Sequence, residues 1–421
     1  MRKSYFLFFS IFIVSHIINQ NVILAQDKIE NLTLNEAIKI GLENNPSIQS
    51  ANAKVLASEG RFWDEISLPR PEISYENQWL PSGNIFNDFG EKTFAISQHM
   101  EFPSIYFLKG SKSKKEEGKS KIEYNLKEIE LIRKIKTAYY KALYNKLILT
   151  SAEENLSISQ NFLKKTEIKA NIGEGSKLET MTAKVQLSEA NSNLGIYKNE
   201  YSKSLEELIF SMGLKSNTHS NFNLTDSLSF VNYENVIQNY CSNFSSNLQI
   251  TLDKKNKEIL EVEESLASSS FLPDINFSYY LQSRDNNNGY YGVSLGISVP
   301  LWFMFEQRGK IQEAKANYKT AEYNLKQTIN QENYKIQNSL KDFENNLEQV
   351  NLYTEEIIPQ ANEIFRTASE SYNAGEANYI EFLQAKQTLL NAQNNYNKAL
   401  LNYYLSIFEI EEIIGKNIIL N

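Results

Sequence analysis

Residues that bridge chains or hold metals are scarce: 421 positions include one cysteine, Cys241, and three histidines. A lone cysteine excludes an intramolecular disulfide, and Cys241 lies too far from the N-terminus to carry the lipid of a processed lipoprotein. It reads as a small buried side chain. His16 falls in a segment read below as cleaved, which leaves His99 and His219. With only five methionines and no HxxxH, CxxC or methionine cluster, no metal site is expected. No nucleophile, base and orienting group can be read together, and no glycine-rich phosphate loop accompanies a βαβ unit, so neither catalysis nor a cofactor is expected. A basic excess is also missing: the formal net charge of -8 excludes a nucleic-acid partner, because phosphate recognition needs a basic surface. Beyond the N-terminus no run reaches the roughly 18 apolar residues that a spanning helix requires. Any membrane crossing must use strands.

What is present begins with Arg2 and Lys3, an apolar stretch from Tyr5 to Ile18, and the small residue Ala25 before Gln26. That order of charge, apolar core and cleavage site predicts a secretory signal peptide over 1–25 and an exported mature chain. Far downstream, "NIGEGSKLETMTAKVQLSEA" from Asn171 returns as "NAGEANYIEFLQAKQTLLNA" from Asn373, 202 positions on. Identity holds at Asn171/Asn373, Gly173/Gly375, Glu174/Glu376, Glu179/Glu381, Ala183/Ala385, Lys184/Lys386, Leu187/Leu389 and Ala190/Ala392. The same offset pairs Gly213 with Gly415 and Pro71-Glu72-Ile73 with Pro273-Asp274-Ile275. The chain therefore reads as two tandem repeats of about 200 residues, 26–214 and 236–421, around a 215–235 connector, a unit far longer than that of a solenoid.

Heptad spacing fills much of each repeat. Ile336, Leu340, Phe343, Leu347, Val350, Thr354, Ile357, Ala361, Ile364, Ala368 and Ser371 alternate at intervals of four and three, the seam of packed helices. A second seam runs from Phe382 through Ala385, Leu389, Ala392, Tyr396, Ala399, Tyr403, Ser406 and Ile410 to Ile413, with a counterpart from Ala183 to Ser211. Glycine between two seams ends one helix and turns the chain. Each duplicated phrase is thus the tip of a long antiparallel helical hairpin, over about 104–214 and 301–414. A helix from Ser104 to Ala170 would be on the order of 100 Å long. Pro359 should remove a backbone hydrogen bond and bend the second rod, whereas its counterpart Ser157 should not.

Before each hairpin the periodicity switches to two, over about 71–80, 92–100, 272–283 and 289–299. Ile275, Phe277, Tyr279 and Leu281 alternate with Asn276, Ser278 and Tyr280, and Tyr291, Val293, Leu295, Ile297 and Val299 with Gly292, Ser294, Gly296 and Ser298. These are strands with one greasy and one small, polar face, about long enough to cross an outer membrane when tilted. Open strand edges are not tolerated in lipid, and four strands are too few for a barrel with a lumen. Several chains must share one barrel; a trimer supplies twelve strands. Trp79, Tyr279, Tyr280 and Tyr290 suit an interfacial girdle, or ordinary strand packing.

The opening "LTLNEAIKIGLENNPSIQSANAKV", the strand pairs behind Pro71 and Pro273, the helix re-entries "QHMEFP" and "SVPLWFMFEQRGK" and the doubled tip phrases together resemble the TolC-like outer-membrane efflux protein family, over essentially the whole mature chain. The segment "EFPSIYFLKG" is diffusely similar to its heavy-metal-cation branch. The resemblance implies a mainly α fold with a membrane β-barrel: a homotrimeric channel-tunnel with a 12-stranded β-barrel in outer-membrane lipid and an α-helical barrel in the periplasm. It implies an equatorial region built from the chain start, the connector and the C-terminus. It also implies a periplasmic adaptor (membrane fusion protein) and an inner-membrane pump as partners in tripartite efflux of drugs or metal cations. Tyr372, three residues before Gly375, matches the family's tip motif, while the first tip departs from it, with Lys169 and Ala170 before Gly173. Gly173, Glu174, Tyr372, Gly375 and Glu376 are the expected adaptor contacts, or plain helix-turn residues. Glu381, Gln384 and Glu179 are the expected residues of the periplasmic constriction, or solvated helix charges. A type I protein-secretion channel and an exported coiled-coil scaffold without a pore are the competing readings.

Overall fold

The computed structural model of the chain describes residues 31–78, 90–173, 175–215, 222–241, 247–284, 287–301 and 305–419. The expected signal peptide over 1–25, Trp79, Glu174 and His219 lie outside them, as does the side chain of Cys241.

The order begins β1 (Asn31–Leu32), α1 (Leu34–Asn44), α2 (Pro46–Ile66), β2 (Glu72–Gln78), β3 (Glu91–Met100), α3 (Pro103–Asn171) and α4 (Lys177–Ser211). It continues β4 (Asn223–Leu224), α5 (Glu234–Cys241), α6 (Leu248–Ser269), β5 (Asp274–Arg284), β6 (Asn287–Ser298), α7 (Glu306–Leu352), α8 (Ile358–Ala374) and α9 (Tyr379–Ile414). No helix among the described residues is long and apolar enough to cross a membrane. The 69 residues of α3 give an unbroken rod of about 100 Å. The second rod is not one helix: a π turn, Tyr353–Ile357, separates α7 from α8, with the Ile358 N–H donating to the Tyr353 carbonyl. A π turn holds one extra residue per turn, and here it sits just before Pro359, whose missing N–H it accommodates. The expected seam is buried at Ile336, Phe343, Leu347, Val350 and, beyond the π turn, Ala361, but nearer the tip it is corrected: Ile364 is half exposed, and Phe365 and Tyr372, one residue later, turn inward instead.

Two asparagines join the helices end to end. Asn45 caps the start of α2 through Ser47 N–H and donates its Nδ2 to the Ser211 carbonyl at 2.8 Å, where α4 ends. Asn247 caps α6 and donates to the Ile413 carbonyl at 2.8 Å, where α9 ends. Each pair of ends is closed by a left-handed glycine, Gly213 (φ 75°) or Gly415 (φ 76°). α3 then packs against α2 and α4 on one side and against α6 and α9 on the other, and α7 packs against α6 and α9. The result is a four-member wall.

Chain start, connector and C-terminus meet midway along this wall. β1 and β4 pair in parallel. The Tyr139 hydroxyl lies 2.9 Å from the Leu32 carbonyl and 2.7 Å from Asp226, which also accepts the Leu34 N–H. Tyr403 and Tyr404 donate to the Val231 and Ser229 carbonyls. Fully buried Lys136 pairs with Glu411 at 2.7 Å, and the other Glu411 oxygen accepts the N–H groups of Ile418 and Ile419.

The strands form one antiparallel sheet in the order β2-β3-β5-β6. Its cross-strand rows run Tyr75–Phe94–Leu281–Tyr291 and Ile73–Ile96–Tyr279–Val293 on one face. On the other they run Ser74–Ala95–Tyr280–Gly292 and Glu72–Ser97–Ser278–Ser294. The greasy face is exposed throughout, with Val293 at 62% and Leu295 at 74%, and within the chain the outer edges of β2 and β6 pair with no strand among the described residues.

Candidate functional site

The two hairpin tips lie side by side at the far end of the wall. Glycine makes each turn possible: Gly173 (φ 80°) and Gly375 (φ 78°) adopt the left-handed conformation that a side chain would strain. Gly175 N–H closes back on the Lys169 carbonyl at 3.0 Å, and Glu376 N–H on the Ser371 carbonyl at 2.9 Å. The next helices start on side-chain caps. Ser176 accepts the Leu178 N–H, and Asn378 accepts the Glu381 N–H.

Behind the tips, aromatic side chains from three helices lock together around Ala183 of α4. Phe162 of α3 stacks on Tyr379 of α9, ring centroids 4.2 Å apart and planes 7° from parallel. Tyr372 of α8 stacks on Phe382 of α9 at 5.3 Å. Two phenols cross from the second hairpin to the first: Tyr372 donates to Glu179 at 2.8 Å and Tyr379 to Gln186 at 3.0 Å. Burial raises the pKa of both tyrosines above the phenol range, and Glu179 beside Tyr372 raises it further. At neutral pH each therefore keeps the proton it donates. The Lys169 ammonium lies 4.7 Å from the centre of the Tyr372 ring, a cation–π contact between tips.

The residues expected at the tip thus separate. Gly173, Gly375 and Glu376 are exposed at the turns, whereas Tyr372 is 8% exposed and belongs to the aromatic knot. Glu381 and Gln384 are exposed on the first turns of α9, with the Glu381 carboxylate accepting a hydrogen bond from Asn378 at 2.9 Å. Glu179, read as a constriction residue, is half-buried and held by Tyr372. The contributions of Phe162, Tyr379 and Gln186 were not anticipated. Tyr379 carried one available signal, its place three residues before Phe382 on the seam.

One turn beyond Phe382 lies Lys386, 7% exposed. Among the described residues its ammonium reaches a single acceptor, Ser159 Oγ of α3, at 3.4 Å. Burial pushes its pKa down to about 8. No group of three or more His, Cys, Asp or Glu side chains placed to hold a metal occurs among the described residues.

Residues 262–416 match the family model described as Outer membrane efflux protein. No curated protein sequence matches the chain. In fold the chain is similar to the outer membrane protein VceC of Vibrio cholerae, with TM-score 0.75, 16% identity, and 91% of this chain and 96% of that chain covered. It is also similar to the CmeC outer membrane channel of Campylobacter jejuni, with TM-score 0.73, 17% identity, and 91% and 85% covered. A third likeness is to the open state of the MtrE outer membrane channel of Neisseria gonorrhoeae, with TM-score 0.69, 15% identity, and 91% and 89% covered. Residues 262–416 thus resemble an outer membrane efflux protein domain, and the chain has the fold of the TolC-like outer-membrane channels.

Proposed function

We propose that three copies of this chain form the outer-membrane channel of a tripartite efflux pump. The channel passively conducts drugs or metal cations that an inner-membrane pump delivers through a periplasmic adaptor. The observation that carries this reading is the sheet: four strands, a continuous exposed greasy face, and two unpaired edges on top of a long helical wall. A greasy face needs lipid, and unpaired edges in lipid need strands from other copies. Three sheets close a 12-stranded barrel, and three four-member walls continue it as a tunnel through the periplasm.

In this arrangement the tips form the periplasmic entrance. Gly173, Glu174, Gly375 and Glu376 face the adaptor, Tyr372 braces them from within, and Glu381, Gln384 and Glu179 stand about the constriction. Three copies of Glu381 around one axis would draw cations and repel anions. The deciding experiment measures the oligomer mass of membrane-extracted protein and its single-channel conductance in a planar bilayer, with Glu381→Gln alongside. A trimer of discrete conductance, cation-preferring in the parent and less so in the variant, is expected. A soluble monomer or dimer without conductance would sink the channel reading in favour of a coiled-coil scaffold.

A further inference from the structure

The α3–α9 seam behind the tip holds a cation that no carboxylate among the described residues balances. Lys386 is more than nine-tenths buried where the second hairpin packs on the first, and its one acceptor, Ser159 Oγ, is long at 3.4 Å. That hydroxyl is itself committed as a donor to the Asn155 carbonyl at 2.8 Å. No carboxylate among the described residues forms an ion pair with Lys386. From α3 the inward side chains are Asn155, Ser159, Phe162 and Thr166; from α8 they are Ala361, Phe365 and Tyr372; from α9, Phe382 and Ala385. Glu179 of α4, a half-buried carboxylate of the same end, is engaged by Tyr372. Of the other charges on these helices, Lys164, Lys165, Glu167, Lys184, Glu189, Glu363, Arg366, Glu370 and Glu381 face solvent, and Lys169 lies over the Tyr372 ring. The same slot of the first repeat shows the ordinary solution: Lys184 is exposed and lies 3.6 Å from Glu167.

We propose that Lys386 is a built-in destabiliser of the packed tip, a counterion-free cation that keeps the seam between the two hairpins near its point of release and makes that release respond to pH. The proposal rests on reading the tip as the channel's entrance, and it adds a residue that sets the entrance's resting state. Moving an ammonium from water into an apolar seam is unfavourable, and separating the hairpins restores its hydration. The sign follows from the two states. Released, Lys386 titrates at its ordinary value of 10.5; packed, burial brings it down to about 8. Below pH 8 the group is charged in both states and the full penalty weakens the packed seam. As pH rises from 8 towards 10.5 the packed state holds fewer protons, so packing is favoured by up to tenfold per pH unit. Across the whole window the bias is roughly 300-fold.

Spin labels at exposed Gln160 of α3 and Gln387 of α9, in full-length extracted protein with Cys241→Ser, report the seam as an intrachain distance. The expected result at pH 7 is a short and a longer population, the longer one receding by pH 9.5. Lys386→Met should hold the short distance at both pH values. Lys386→Arg, charged throughout, should keep the longer population with no pH response, and it decides the matter if the methionine variant fails to fold. Parent and Lys386→Met responding alike to pH would overturn the proposal. Conductance of the same samples separates the two readings. A pH-dependent seam in a protein that conducts nothing overturns the channel reading alone, and a conducting protein whose seam ignores both pH and Lys386 overturns this proposal alone.

Discussion

The Tyr372–Glu179 bond joins the two hairpins through one proton, and its removal is specific. Tyr372→Phe keeps the ring on Phe382 and leaves a half-buried carboxylate without its donor, a loss of about 1.5–3 kcal/mol for a hydrogen bond to a charged group. Amide exchange across 177–186 and 368–382 should quicken by roughly 10- to 100-fold. In a double-mutant cycle with Glu179→Gln the two losses should fall short of additivity by more than about 0.5 kcal/mol. Unchanged exchange would mean that stacking alone holds the tip. Midway along the wall, Glu411→Ala strands the fully buried Lys136 and frees two tail N–H groups. Breaking such a pair costs about 3–5 kcal/mol, so protease should clip the tail beyond Gly415 readily in this variant, and replacing both partners by Met and Leu should restore much of the resistance. Neither pairing was legible in the sequence. Lys136 and Glu411 are 275 positions apart, and a lysine such as Lys386 is expected on a surface. It becomes buried because α9 packs on both α8 and α3, which widens the inward arc beyond the heptad positions.

At the scale of elements, the seams, the strand pairs and the glycine turns could be read from periodicity because each repeats a local rule many times. The π turn at Tyr353–Ile357 could not: Pro359 announces a disturbed helix but not whether the chain kinks or absorbs a residue. The structure makes that testable. Deleting Glu355 together with Pro359→Ala should turn the π turn into ordinary helix, keeping Phe365 and Tyr372 inward and the melting temperature of the extracted protein near that of the parent. Deleting Glu154 from α3, which has no surplus residue, should rotate Phe162 by about 100° out of the aromatic knot and abolish normal assembly. The glycines that close the helix junctions offer a graded comparison. A Cβ on Gly213 would stand 2.6 Å from the Asn45 Cα, whereas one on Gly415 would meet the flexible Leu248 side chain at 3.3 Å. Both alanine variants carry roughly 1–2 kcal/mol of left-handed strain. Gly213→Ala should therefore lower the melting temperature of the extracted protein further than Gly415→Ala.

For the whole molecule, α2 and α6, β2 and β5, and α4 and α9 each begin 202 positions apart, the offset of the duplicated tips from which two tandem repeats were expected. The two long rods differ in a way that the duplicated phrases did not announce. One repeat carries a 69-residue rod without interruption; the other carries a rod of similar reach with a joint at Tyr353–Ile357. A helix bends most readily where its hydrogen-bond ladder is interrupted, and here that place is the π turn. The 17 residues of α8 between joint and tip form a lever of about 25 Å, so a swing of about 10° carries Gly375 sideways by about 4 Å, the width of one side chain. The segment past the π turn bears Tyr372, the residue that fastens the second hairpin to the first.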